Sequence, residues 1–295
     1  SMGVLIDTEV WPNLSAIAQQ KGIPLVLANA RLSEHSWRKA QRWSALAKPA
    51  FSGLSAVWAQ TEEDAKRLRS LGAPVSEVMG NLKFDAVPDL LLLTTGQAWR
   101  NALATRPVVL LAISREGEEA MFLQVLQQHP EYLQQAQWWI VPRHPQRFEE
   151  VAALMQASGL PWQRRSQGSA PPESGLVLGD SLGEMPLYYG VASVALLGGS
   201  FAPLGGQNLI EACACACPVV MGPHTFNFSE VAERAVEAGA AVQVANMTEA
   251  LEAVATLLES DAPQRQAQAQ GFATAYGGAV ARTVGALMAL QPRLT

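Results

Sequence analysis

Short apolar runs recur along the chain, and most are followed by a stretch whose apolar positions return every three or four residues. That rhythm predicts buried strands alternating with amphipathic helices. In the first third the strand-like runs are Val4 to Ile6, Pro24 to Ala28, Ala56 to Ala59 and Val75 to Met79. Helical spacing fills the intervals: Pro12 to Lys21, Leu32 to Phe51, and a stretch opened by Thr61-Glu62-Glu63-Asp64 and closed by Gly72. Thr61 is a capping residue with acidic side chains in the first turn behind it. The order βαβαβαβ predicts a parallel sheet with helices on its faces. Asp85 to Arg106 reads as a linker or connecting helix.

A second series of strands is predicted at Val108 to Ala112, Trp138 to Val141, Pro161 to Arg165, Gly175 to Leu178, Ser193 to Leu197, Pro218 to Met221 and Ala241 to Val244. The helical intervals are Glu116 to Gln128, Gln146 to Ser158, Ser181 to Tyr189, Asn208 to Ala216, Ser229 to Ala238 and Thr248 to Leu258. Gln167 to Ser174 is an expected exposed turn, and Ala262 to Leu290 reads as one or two amphipathic helices. The division expected is a first domain over 1–90, a linker over 91–106, a complete doubly wound domain over 107–262, and C-terminal helices over 263–295. The first sheet, with four strands, reads as only the latter part of a doubly wound sheet.

Composition narrows the function. The 295 residues are 49% apolar, enough for two cores. No apolar run is long enough to span a bilayer. The net charge is −5, and the basic residues are scattered rather than striped, which argues against a nucleic-acid partner. A small patch able to touch anionic headgroups is still compatible with that balance. The three cysteines, Cys213, Cys215 and Cys217, have no distant partner, which points to a reducing compartment. Residues two apart on a helix point to nearly opposite sides, so three such thiols do not converge on a metal. They read as small residues packing a helix on a sheet, and no metal or cofactor is expected.

The candidate chemistry lies at the ends of strands, where open α/β sheets bind ligands. Gly198 to Phe228 reads strand end, glycine loop, helix, strand, glycine loop. Glycines ahead of a helix let backbone N–H groups approach an anion, and Glu211, about one turn inside, is placed to accept from ribose hydroxyls. The alternative is an ordinary αβ unit with glycine at tight turns. Four further loops fall on the same rim: Ser114 to Glu118, Pro142 to Pro145, Gly179 to Met185 and Gly222 to His224. The first domain offers Asp7-Thr8-Glu9, Asn29-Ala30-Arg31, Gln60-Thr61-Glu62 and Gly80 to Lys83. Glu9, Arg31 and Lys83 are candidates for acid–base or charge-stabilising roles. No GxGxxG follows a strand, which disfavours a dehydrogenase. A GxxxxGK[ST] phosphate loop and a G-x-S-x-G elbow are both missing.

Taken together, DTEVWPNL (7–14), IPLVLANARLS (23–33), AQTEEDAKRLRSLGA (59–73), GNLKFD (80–85), VPRHPQRF (141–148), LGDSLGEM (178–185), GGSFAPLGGQNLIEA (198–212) and MGPHTFNF (221–228) resemble the 3-deoxy-D-manno-octulosonate (Kdo) transferases of lipopolysaccharide synthesis. The resemblance implies an α/β fold of GT-B type, with two Rossmann-like domains of which the first is incomplete. It implies inverting, metal-independent transfer of Kdo from CMP-Kdo to a lipid A precursor (lipid IVA), at the cytoplasmic face of the bacterial inner membrane. By motif, donor contacts fall on Pro142, Arg143, Gly183, Glu184, Met185, Gly205, Gly206, Asn208, Leu209, Ile210 and Glu211. Glu9 and Lys83 match positions taken to stabilise the transition state.

Three departures from the family pattern follow. The family carries a segment ahead of DTEVWPNL with the membrane-associated start, much of the acceptor site and the general base. This sequence starts after it, so it is expected not to catalyse transfer by itself. Ile113-Ser114-Arg115 stands where the family has Ser-Thr-His, and Gln207 stands where it has a histidine. Other readings of the same fold are a transferase with a different donor, a nucleotide-sugar epimerase, or a non-catalytic nucleotide-sugar binding module.

Overall fold

The computed structural model describes residues 2–85, 87–103, 106–168 and 175–290. The chain divides into two compact units, Ser1–Asp85 with Tyr276–Thr295, and Ala86–Ala275.

The first unit is built from β1 (Gly3–Ile6), α1 (Pro12–Gln20), β2 (Leu25–Ala30), α2 (Glu34–Arg42), α3 (Ser44–Ser52), β3 (Ala56–Ala59), α4 (Glu62–Ser70) and β4 (Val75–Val78). Its four strands pair in parallel, in the order β1-β2-β3-β4. Thr61 caps α4, its Oγ1 accepting from Asp64 N at 3.1 Å. The buried carboxylate of Asp64 in turn accepts from Leu32 N at 2.8 Å, tying the start of α4 to the end of β2. The expected single helix over Leu32 to Phe51 is broken at Trp43, whose torsions (φ −106°, ψ 37°) leave the helical well. The break lets α3 turn onto α1, where Ser15 Oγ donates to Ala50 O at 2.9 Å.

The second unit continues with α5 (Leu90–Ala102), β5 (Val108–Ser114), α6 (Glu118–Gln128), α7 (Tyr132–Gln135), β6 (Gln137–Pro142), α8 (Phe148–Ala157), β7 (Trp162–Arg164), β8 (Leu176–Leu178), α9 (Met185–Val191), β9 (Ala192–Leu197), α10 (Ile210–Ala214), β10 (Val219–Met221), α11 (Ser229–Glu237), β11 (Ala241–Gln243), α12 (Met247–Glu259) and α13 (Ala262–Tyr276). Its seven strands are parallel, in the order β11-β10-β9-β5-β6-β8-β7. Both faces of this sheet are buried, so its central strands are almost wholly apolar. Val109, Leu111, Trp138 and Ile140 pack with Phe122, Leu126, Val151, Met155 and Leu251 on one side. On the other, Trp139 meets Trp99 of α5 and Tyr188 of α9, with ring centroids 6.5 and 6.1 Å apart.

Of the two readings of Asp85 to Arg106, linker or connecting helix, the structure has the helix: α5 is capped by Asp89 and packs Leu93, Gly96 and Trp99 inward. The last helix, α14 (Ala279–Leu290), returns to the first unit. Arg282 Nη2 donates to Met79 O at 2.8 Å, and Ala286 and Leu287 pack against Val26, Ala28 and Trp58. The Asp85 carboxylate accepts from Gly278 N and Val280 N. The exposed turn expected over Gln167 to Ser174 lies largely outside the described residues.

Candidate functional site

In the second unit the strands end on a rim shaped by two buried carboxylates. Glu118 opens α6 and is fully buried. Its Oε2 accepts from Gly199 N (2.7 Å) and Arg115 N (2.9 Å), and its Oε1 from Phe201 N (3.0 Å) and Ala202 N (3.3 Å). The backbone amides of the Gly198 loop, expected as a cradle for an external anion, are therefore filled by the protein's own carboxylate. Burial raises the pKa of Glu118, with the four N–H donors pulling the other way. The neighbouring Glu119 accepts from Ser114 Oγ (2.6 Å) and, in a bidentate pair, from Arg147 (2.7 and 3.1 Å). Burial disfavours the Arg147 charge, but Glu150 and Glu119 more than offset it and hold the guanidinium protonated.

This frame supports a strained turn. Ile113 sits at φ +50°, an outlier for a β-branched residue. Gly198 N donates to Ala112 O at 2.8 Å, and a Cβ on Gly198 would lie 2.4 Å from Ile113 O. Only glycine allows β9 to approach the end of β5 this closely.

The donor residues expected from the sequence are distributed around the rim as follows. Pro142 closes β6 in register with Ser114, and the exposed Arg143 follows it, its N–H bonded to Ser114 O at 3.0 Å. Gly183, Glu184 and Met185 form the turn into α9. The Glu184 carboxylate is already engaged, by Arg165 at 3.0 Å and by Ser181 Oγ. Gly205 and Gly206 both have positive φ, and Gly206 N donates to Gly199 O at 2.7 Å. Asn208 Oδ1 accepts from Ile210 N at 3.1 Å, and the helix starts at Ile210, later than expected. It ends after one turn, where Ala216 takes φ +55°.

Met185 and Glu211 come together in the wall of one cavity of about 200 Å³. Val87, Pro88, Asp89, Pro186, Tyr189, Ala214 and Cys215 complete the wall. The exposed Glu211 has its carboxyl pKa raised by the surrounding protein, against the pull of Arg143. The Tyr189 hydroxyl is buried without a hydrogen-bond partner. Burial pushes the Cys215 and Cys217 thiols up to about 12, so they behave as apolar packing. Among the described residues no cluster of three or more His, Cys, Asp or Glu is placed to hold a metal ion.

In the first unit a polar network closes the carboxyl ends of the strands. Asp7 and Asn29 both take left-handed backbone conformations, φ 60° and 53°. Asn29 Nδ2 donates to Asp7 Oδ1, and Asn29 Oδ1 accepts from Leu82 N at 3.0 Å. Gln60 Nε2 donates to Asn29 O at 2.9 Å. Lys83 Nζ lies 3.8 Å from Asp7 Oδ2. Glu9 instead accepts from Trp11 Nε1 at 3.1 Å. Of these, sequence reasoning had singled out Glu9 and Lys83. It had not recognised Asp7 and Asn29 as the groups that orient the Lys83 turn, although a polar residue immediately after each of two strands was the available signal.

Residues 1–86 match the family model of 3-deoxy-D-manno-octulosonic-acid transferase (kdotransferase). The 3-deoxy-D-manno-octulosonic acid transferase of Bordetella pertussis is 47% identical over 293 residues, covering 97% of this chain and 68% of that protein. The transferase of Haemophilus influenzae is 36% identical over 266 residues, 87% of this chain and 61% of that protein. The chain thus spans about two thirds of the length of these relatives. The crystal structure of the C-terminal CMP-Kdo binding domain of WaaA from Acinetobacter baumannii superposes with a TM-score of 0.58 at 28% identity, over 62% of this chain and 98% of that one. A trehalose 6-phosphate synthase from Burkholderia multivorans gives 0.59 at 14% identity, over 97% and 71%, which speaks for the fold alone. The fold is α/β, of the GT-B type with two Rossmann-like units.

Proposed function

The chain belongs to the 3-deoxy-D-manno-octulosonic acid transferase family, and from that premise we propose that it takes part in transfer of Kdo from CMP-Kdo to a lipid A precursor, with inversion and without a metal, at the cytoplasmic face of the inner membrane. The observation that carries the donor assignment is the convergence of Met185 and Glu211, from the first turns of α9 and α10, on one cavity of the second unit. Glu211 is the ribose ligand, accepting from its hydroxyls. Arg143, beside it electrostatically, faces the phosphate. The turn Gly183-Glu184-Met185 reads the base through its backbone, since the Glu184 carboxylate is engaged by Arg165 and Ser181. Gly205, Gly206, Asn208, Leu209 and Ile210 shape the loop that presents Glu211. In the first unit, Lys83, steadied by Asp7, and Glu9 are the charge-stabilising groups.

Calorimetric titration with CMP, using UMP and AMP as controls, tests the donor assignment. Selective binding of CMP is expected. Glu211→Gln removes a charged acceptor and should weaken CMP binding about tenfold or more. Only the carboxylate accepts from both ribose hydroxyls, so wild-type affinity should fall as the pH drops through the raised pKa of Glu211, above its ordinary 4.5. The Glu211→Gln protein should lack that limb. Equal binding of the three nucleotides, or CMP affinity indifferent to Glu211, would sink the assignment.

A further inference from the structure

We propose that the corner formed by α2 and α3 is a docking surface for an anionic phospholipid bilayer. Trp43, at the break between the helices, is 67% exposed, and Leu46, three residues on, is 59% exposed. Among the described residues no other part of the chain covers them. In the same segment Arg31, Arg38, Lys39, Arg42 and Lys48 are all exposed. Residues 31–48 thus hold five basic side chains against one acidic one, Glu34, in a protein whose net charge is −5. Glu34 is paired with Arg38 within α2, which leaves the rest of the cluster without a carboxylate of its own segment. The inward side of α2 is occupied differently: Trp37 and Ala40 pack on the core, and Trp37 Nε1 donates to Ser70 Oγ at 2.8 Å.

An exposed indole and leucine in a segment rich in exposed Lys and Arg is the pattern of a surface that lies in the headgroup region. The apolar side chains bury in the acyl boundary while the cations meet lipid phosphates. Charge complementarity also selects this corner over the exposed apolar residues of α1 and α14 in the same unit. Around α1, Trp11, Leu14 and Ile17 are exposed too, but the one basic residue there is Lys21 at the C-cap, and on α14 Val280, Val284 and Met288 are accompanied by the one described basic residue Arg282, which donates to Met79 O. The docking surface consists of residues 31–48 and does not rest on the donor-site reading. Among the described residues no helix is long and apolar enough to cross a membrane, so contact here would be interfacial.

Flotation of the chain with vesicles of phosphatidylglycerol and phosphatidylethanolamine, against vesicles of phosphatidylcholine alone, is the test. Binding to the anionic vesicles is expected, weakening as salt is raised. Arg42→Glu with Lys48→Glu should lower the partition coefficient at least about tenfold. Trp43→Ser with Leu46→Ser should do the same through lost apolar burial, with the circular dichroism spectrum and thermal midpoint unchanged. Equal partition onto neutral and anionic vesicles would overturn the proposal, as would folded variants that bind like the wild type. A concentration-dependent dimer in light scattering, abolished by the Trp43→Ser, Leu46→Ser pair, would place a second copy on this corner instead and overturn it too.

Discussion

Replacing Glu118 with alanine is expected to destabilise the second unit by about 4 kcal/mol, because it strands two buried and two partly buried backbone donors at once. The donors belong to Arg115, Gly199, Phe201 and Ala202, and each now bonds to one or other carboxylate oxygen. A buried N–H left without a partner costs about 1–3 kcal/mol, and entering water would recover part of the total. Glu118→Gln is expected to cost about 2 kcal/mol. Its amide keeps one acceptor oxygen for two donors but turns an NH2 group toward the other two. Urea unfolding at neutral pH checks both values, and an alanine variant within about 1 kcal/mol of wild type would mean that water replaces the carboxylate without penalty. The pH dependence gives a separate check. Burial raises the pKa of Glu118 above its ordinary 4.5, so the folded protein holds that proton more tightly than the unfolded chain. The resulting stabilisation is complete below the unfolded value and is lost as the pH rises through the folded one. Glu118→Gln cannot ionise there, so its stability relative to wild type should improve with rising pH over the same window.

Glu118 also marks the limit of what could be read from the chain alone. The alternation of strands and helices was legible because each element carries its own pattern, and the parallel sheets follow from that order. The glycine loop was legible as a place where amides converge. The group filling them was not, because Glu118 lies 81 positions before Gly199 and nothing local joins the two. Trp43 shows a second limit. Helical spacing runs through it unbroken, and the bend comes from α3 seating on α1, a tertiary cause. Residues 91–106 show a third. Pro88 and a polar helix-like pattern read as a linker or connecting helix, and what the chain alone could not show is the partner, α9, of the inward stripe of Leu93, Gly96 and Trp99. The return of α14 to the first unit is of the same kind. Met79, Arg282, Ala286 and Leu287 meet only once the fold has brought the chain's end back. Met185 and Glu211 were each found from motifs, but their shared cavity is a product of that packing.

Gly96→Val is the second substitution with a large expected effect, about 3 kcal/mol, because there is no room for a side chain where α5 crosses α9. A Cβ on Gly96 would lie 2.2 Å from Leu187 O and 2.9 Å from both Gly190 Cα and Val191 N. These are backbone atoms, so no side-chain rotation relieves the clash and the helices must separate. The facing position is equally tight: a Cβ on Gly190 would lie 2.7 Å from Leu93 O. Two glycines therefore set how closely the helices approach, and α9 carries Met185, Pro186 and Tyr189 into the wall of the candidate donor cavity. Separation would also loosen the contact between Trp99 and Trp139, so the loss should show in near-ultraviolet circular dichroism as well as in the unfolding midpoint. Gly96→Ala should give a smaller shift in the same direction, since a single methyl can be met by a slight displacement of α5. Because the displaced helix supplies part of the cavity wall, CMP affinity should fall in step with stability across the pair. A Gly96→Val protein that keeps wild-type stability and wild-type CMP affinity would show that α5 slides freely on α9 and that the cavity does not depend on their close approach.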